Sequence, residues 1–457
     1  MTKDRRPDLV LVMTDQQRHD QVGWVPGSTV RTPNLDRLAE SGVIFDNAYS
    51  ASTTCVPART SLMTGLLDHR TPYTAPLALE EGFFTVPHAL RAAGYQTALI
   101  GKMHFSPMRA DHGFEHLEVC EHLNAYRDDP ATLPQLDHYH DWLRTQGLAD
   151  WRFELPGGLD HPYPYPAATH PTSWVRDRTL AFLEERDHDR PLFLVVSFPH
   201  PHPPVNPPEH YASMYDPNSA IIDPDGAELN RRLPAAFRRD TEQADHPHRR
   251  VHPEAMAHHQ AELARTYGLI TQVDDAVGAI VDKIPLDYAL LWFTSDHGDF
   301  AGHRGLLRKI PWIPFDDLAK VPCFAAGGLV SGGRRVADPI QSFDFATTCL
   351  DLAGVEVDLD VFDGVSQRTF LADPARQPDA DRVVWSAITM RWPMARRGPH
   401  KYIRDLGWGE EVLFDVVGDI EESLNLAAHP LGLELTRELS AAVDRQLLAT
   451  QPDLPGY

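Results

Sequence analysis

Five short, almost wholly apolar runs punctuate the chain, separated by stretches of helical period. The runs are residues 9–14, 43–45, 97–100, 191–198 and 288–294. A run without polar alternation suits a strand buried on both faces of a parallel or mixed sheet. Between the runs, residues 32–42 read as a helix with Thr32 as N-cap, Pro33 at the first helical position and Gly42 as its stop. Further helices are predicted near Pro57, where Leu62 and Met63 point to the core, and over 86–93, 173–186 and 255–282. In the last of these Leu263, Tyr267, Ile270, Val273, Val277 and Ile280 share one face, as core packing requires. Strands alternating with helices predict an α/β fold, a large mixed and mostly parallel sheet flanked by helices.

The pattern changes after residue 339. A helix is expected from Ser342 to Gly354, loop over 356–380, then short strands at 383–385, 394–396, 401–403 and 412–414, and a closing amphipathic helix at 433–449. This predicts a larger domain of residues 1–372 and a smaller C-terminal α+β unit, 373–457, with an antiparallel sheet. Residues 106–190 are rich in Pro, His, Asp and Trp and poor in periodic runs, so loops and short helices are expected there. With 205–255 they would form the rim of a pocket.

Four of the apolar runs end in polar clusters. These are Asp15-Gln16-Gln17, Gly101-Lys102-Met103-His104, Pro199-His200-Pro201-His202-Pro203-Pro204 and Ser295-Asp296-His297-Gly298-Asp299. Open α/β sheets bind ligands beyond the carboxyl ends of their strands, so the four clusters are expected to meet at one charged site. Lys102 and His104 are two residues apart and share a face in extended backbone. Cys55-Val56-Pro57-Ala58-Arg59 follows a small, polar approach at 50–54 and opens a helix. A helix N-terminus with an arginine one turn in is suited to an anion. Taken alone, the motif fits a buried structural cysteine equally well.

Composition narrows the partners. Of the 457 residues 42% are hydrophobic and 23% charged, ordinary for a soluble globular protein, and the net charge is −23. That excess argues against nucleic acid and anionic membranes, and an anionic substrate would need local positive charge. Cys55, Cys120, Cys323 and Cys349 lie far apart with no C-x-x-C spacing, which suggests neither a zinc site nor a disulfide framework. Neither a signal-peptide pattern nor a membrane-length apolar run is found, so a cytoplasmic location is expected. The histidines at 246, 248, 252, 258 and 259 are mixed with charges of both signs and read as a solvated loop rather than a metal tract. Trp142, Trp151, Trp174 and Tyr211 could stack on a leaving group, although packing is the simpler role for each.

With these clusters in place the chain resembles the type I sulfatases of the alkaline phosphatase superfamily, including choline sulfatases and phosphonate monoester hydrolases. The resemblance rests on Cys55-x-Pro57-x-Arg59 with Thr64-Gly65, Thr32-Pro33-Asn34-Leu35-Asp36, Gly101-Lys102-Met103-His104, Pro201-His202-x-Pro204, Ser295-Asp296-His297-Gly298 and Lys309, in the family's order. Phe414-Asp415 with Asn425-Leu426 resembles its C-terminal signature. It implies an alkaline phosphatase-like fold and a hydrolase of sulfate monoesters, the alternative being phosphonate monoesters or phosphodiesters. It also implies that a formylglycine-generating enzyme oxidises Cys55 to Cα-formylglycine, whose hydrate attacks the ester and then expels the inorganic anion.

The same resemblance implies one divalent cation, Ca²⁺ or Mn²⁺, held by Asp15, Gln16, position 55, Asp296 and His297. Arg59 would stabilise the nucleophile, Lys102, His202 and Lys309 would bind the substrate anion, His104 would accept a proton, and His202 with Lys309 would protonate the leaving oxygen. Gln16 replaces an aspartate common among sulfatases, and His297 an asparagine. Both changes lean toward the phosphonate monoester hydrolases and toward a transition metal. Lys102 and His104 look instead like sulfatases, and the spacing from Lys309 to Asp316-Asp317 departs slightly from the family pattern. A small-molecule ester is the expected partner. A member that only binds anions through an unmodified Cys55 stays open, as does the oligomeric state, a homo-oligomer included.

Overall fold

The computed structural model describes residues 6–71, 73–74, 78–79, 83–121, 137–148, 161–223, 225–242, 249–376, 379, 381–388, 391–452 and 454. At its centre lies an eight-stranded sheet. From edge to edge the order is Arg334–Val336, Val43–Phe45, Cys323–Ala326, Ala289–Ser295, Asp8–Asp15, Leu192–Pro201, Gln96–Gly101 and His116–Val119. Asp8–Asp15 runs parallel to both neighbours, with Leu11 opposite Val195 on one side and Trp292 on the other. Cys323–Ala326 runs antiparallel to its two neighbours, which makes the sheet mixed.

The missing alternation in the apolar runs has a direct cause. Leu9, Leu11 and Met13 enter one core cluster with Phe45, Leu99, Val195 and Trp292, while Val10 and Val12 enter another with Ile44, Ile100, Val196 and Phe293. Each face of the sheet is dry. Helices Pro33–Ser41, Pro171–Glu185 and Met256–Val281 seal one face through Leu35, Leu38, Val175, Val273, Val277 and Ile280. Cys55–Thr64, Val86–Ala92 and Asp344–Ala353 seal the other through Leu62, Met63, Leu90, Phe345 and Leu350.

Three strands of this sheet, Arg334–Val336 among them, depart from the sequence reading. His116–Val119 lies in a stretch expected to hold only loops and short helices, and Cys323–Ala326 is wedged into the sheet although its run is only four residues long. Thr32 occupies the N-cap position but makes no capping bond. Its hydroxyl is committed to Asp36, and the cap comes from Asp274 on the neighbouring helix, which accepts from the backbone N–H groups of Asn34 and Leu35 at 3.1 and 2.7 Å.

The C-terminal strands Val383–Ser386, Met394–Arg397, His400–Arg404 and Glu411–Asp415 form an antiparallel sheet in that order. Leu439 and Val443 of helix Leu433–Leu447 pack on Tyr402 and Leu413. Met394, Ile403 and Phe414 share a core with Tyr49, Phe315 and Leu318, which ties this sheet to the body. Trp174 is buried beside Tyr139 and Trp142 packs against the same core, while the Tyr211 hydroxyl donates to Asp275. Trp151, His246 and His248 lie outside the described residues. Among the described residues no helix is long and apolar enough to cross a membrane.

Candidate active site

The strand ends are laced to one another before any charged group is placed. Asp15 closes the central strand and Gln16 turns away with φ of 65°. That turn is held by Gln16 N–H donating to Asp296 Oδ1 at 3.0 Å and Gln17 N–H donating to Ser295 Oγ at 3.0 Å. Asp296 N–H in turn donates to the Thr14 carbonyl at 3.1 Å. At the end of Gln96–Gly101, Gly101 has φ of 114°, and a Cβ there would sit 1.9 Å from the Ser197 carbonyl oxygen. Only glycine lets the chain bend there and carry Lys102 across the sheet edge.

Cys55 is the first residue of a ten-residue helix in which every position is buried. The helix cannot shift without opening the core, so the thiol has a fixed place. Its Sγ lies 3.1 Å from His297 Nε2, 3.0 Å from Lys309 Nζ and 3.7 Å from Asp15 Oδ1. Arg59, one turn on, donates from Nε to Asp296 Oδ2 at 2.9 Å and from Nη2 to Asp15 Oδ2 at 3.2 Å. Its Nη1 reaches the Lys102 carbonyl at 2.7 Å and Ser197 Oγ at 2.9 Å. Lys102 Nζ also bonds Asp15 Oδ2. Three strand ends and the helix are thus joined through one guanidinium.

The electrostatics follow from this crowding. Burial alone would raise the Asp15 carboxyl, but Lys102, Arg59 and Lys309 outweigh it and hold it well below the usual carboxylate range. Burial and Asp15 push the Cys55 thiol up, and Lys309, His297 and Lys102 overcome them to leave it lowered. Cys323 and Cys349 show the contrast, since burial in apolar surroundings drives both far upward. His297 is raised because Asp296 and Cys55 outweigh its desolvation, and Lys309 is raised against burial by Cys55 and Asp15. His104 and His202 go the other way. Burial, joined by Lys102 and Arg59 for the first and Lys309 and Lys102 for the second, keeps each neutral. The Nδ1–H of His202 points to the Pro203 carbonyl at 2.8 Å, leaving Nε2 as its exchanging nitrogen.

Asp15, Cys55, Asp296 and His297 each offer a ligand atom, and these atoms lie within 4.8 Å of one another. His297 Nδ1 is engaged with the Gly298 carbonyl at 2.8 Å, so Nε2 turns its lone pair inward. Two carboxylates, an imidazole and a sulfur or oxygen at position 55 suit a divalent transition ion. Gln16 is beside the group, with Nε2 donating to Asp299 Oδ2 at 2.5 Å and Oε1 as its remaining ligand atom. Two supporting residues escaped the sequence reading, Ser197 behind Arg59 and Glu121 behind His104, while Asp299, named in its polar cluster, stands behind Gln16. Asp299 and Ser197 stand in or beside the polar clusters that end the strands. Glu121 follows a strand that was itself missed.

Cationic side chains and cation-ligand donors converge beyond the carboxyl ends of such a sheet, a setting suited to anionic esters. The model of the sulfatase family matches residues 7–355, and the chain belongs to this family of sulfuric ester hydrolases. It is similar to an arylsulfatase of Clostridium perfringens, 29% identical over 80% of this chain and 79% of the relative. It is likewise similar to a choline-sulfatase of Rhizobium meliloti, 29% identical over 93% and 83%. A phosphonate monoester hydrolase from Silicibacter pomeroyi superposes with a TM-score of 0.78 over 96% of this chain and 95% of its own, at 22% identity, and shares the fold.

Proposed function

We propose that this enzyme hydrolyses sulfate monoesters of a small molecule, with Cys55 oxidised to formylglycine and one divalent cation held by Asp15, Gln16, Asp296, His297 and position 55. The observation that carries the reading is the setting of Cys55. Its sulfur is cradled by Lys309, His297 and Asp15, where an apolar pocket would suit a structural thiol. When present, the cation would polarise the ester oxygen and the nucleophile, and the hydrated aldehyde would supply both an attacking hydroxyl and a second one to release the anion.

The chain's own residues do the rest. Lys102 and Lys309 attract the anion into a molecule whose net charge is −23 and oppose charge developing on its oxygens. Arg59 pairs with Asp15 and Asp296 and orients both carboxylates. His104, held neutral, can accept a proton at position 55. His202 is neutral at rest, and a bound anion would raise its proton affinity and let it protonate the leaving oxygen.

Mass spectrometry of the tryptic peptide spanning Cys55, from protein made in its native host, tests the nucleophile: formylglycine is expected, and an unmodified thiol would sink the mechanism. Steady-state rates on an aryl sulfate and a phenyl phosphonate monoester test the substrate. Gln16 and His297 favour the phosphonate and phosphodiester alternative, and a strong phosphonate preference would establish it instead.

A further inference from the structure

We propose that Glu121 is a positioning residue for catalysis, and that its carboxylate holds the Met103–His104 turn and thereby places His104. The inference rests on the proposed role of His104. Strand Gln96–Gly101 leaves the sheet at Gly101, and the last regular bond is Lys102 N–H to the Ser197 carbonyl at 2.8 Å. The next two backbone N–H groups have lost their sheet partner, and a buried N–H must find another acceptor. Both find the same atom. Met103 N–H and His104 N–H donate to Glu121 Oε1 at 3.0 and 2.6 Å.

The turn needs such a hold. His104 adopts φ of 67°, a left-handed conformation that a non-glycine residue keeps only where its surroundings enforce it. The imidazole Nδ1 gives no help, because it is buried and has no hydrogen-bond partner among the described residues. Glu121 is itself well anchored. It is 3% exposed, follows Cys120 whose N–H bonds the Gly101 carbonyl at 2.9 Å, and donates its own N–H to Asp137 Oδ2 at 2.7 Å. The edge strand His116–Val119 therefore carries its successor residues to the same sheet edge and returns a side-chain acceptor to the catalytic turn.

The test uses full-length, matured enzyme and an aryl sulfate. E121M removes the acceptor at similar volume, E121A is a second acceptor-free variant, and E121Q keeps an oxygen in place. E121M is expected to lower kcat/KM about tenfold to a hundredfold, mostly in kcat, with E121Q within about threefold of wild type. In an H104A background the same E121M change should cost less than about twofold, because residues acting through one another are not additive. Equal losses in both backgrounds, or E121Q as impaired as E121M, would overturn the proposal. Amide hydrogen exchange supplies a readout independent of turnover. Met103 and His104 amides should be protected in wild type and E121Q and exposed in E121M or E121A; unchanged protection overturns the assignment. An enzyme inactive on every ester would defeat the proposed function, while exchange would still decide Glu121.

Discussion

At the scale of single residues, the chemistry at position 55 makes a sharp demand. A serine there can attack an ester once, but has no second hydroxyl with which to expel the anion. C55S is therefore expected to release about one equivalent of alcohol per enzyme and then stall, seen as a burst without a steady state. Sustained turnover would show that release follows another route. Arg59 offers a second test, because it reaches Asp296, Asp15, the Lys102 carbonyl and Ser197 with three nitrogens. An ammonium cannot reproduce that planar fork, so R59K should cost about a hundredfold in kcat/KM although the charge is kept. Asp15, Lys102, His202 and Asp296 were legible in the sequence because each stands just beyond an apolar run. Glu121 and Ser197 were not, since they meet two backbone N–H groups and another side chain, and neither set of contacts has a fixed sequence spacing.

At the scale of elements, the long apolar runs announced the inner strands, and the four C-terminal strands fell close to their predicted places. Cys323–Ala326 could not be read in this way. Four apolar residues make a short run, and this one becomes a strand only because Val43–Phe45 and Ala289–Ser295 leave a gap with open hydrogen bonds. Helix Pro33–Ser41 teaches the same lesson at its start. Its local sequence offers Thr32 as cap, yet Asp274, 240 residues from Asn34 in the chain, accepts the free N–H groups. D274A should therefore destabilise the protein by about 1–3 kcal/mol, from the lost cap and the buried donors left unpaired. Urea unfolding midpoints measure it.

At the scale of the whole molecule, polar contacts bind the C-terminal segment to the loop that delivers Lys309. His303 Nδ1 meets both Asp317 oxygens at 2.7 and 2.8 Å, and Nε2 meets Glu421 Oε2 at 2.6 Å. Desolvation works against the imidazolium, but Asp317 and Glu421 overcome it and raise the pKa to about 9. The ordinary value in an unfolded chain is about 6.5, so the folded state holds this proton more tightly. The resulting stability is fully present below about pH 6.5 and drains away as pH rises through 9, an amount of about 2–3 kcal/mol once the exposure of Glu421 is allowed for. Denaturation at pH 6.5 and pH 9.5 should show this decline in wild type and a much smaller one in H303Q, which can still hydrogen-bond but carries no charge. Because residues 303–309 also lead to Lys309 against Cys55, activity in the same pH range should fall faster in wild type than unfolding alone explains. H303Q separates the two effects: a variant that keeps the full decline in stability would place the titrating group elsewhere.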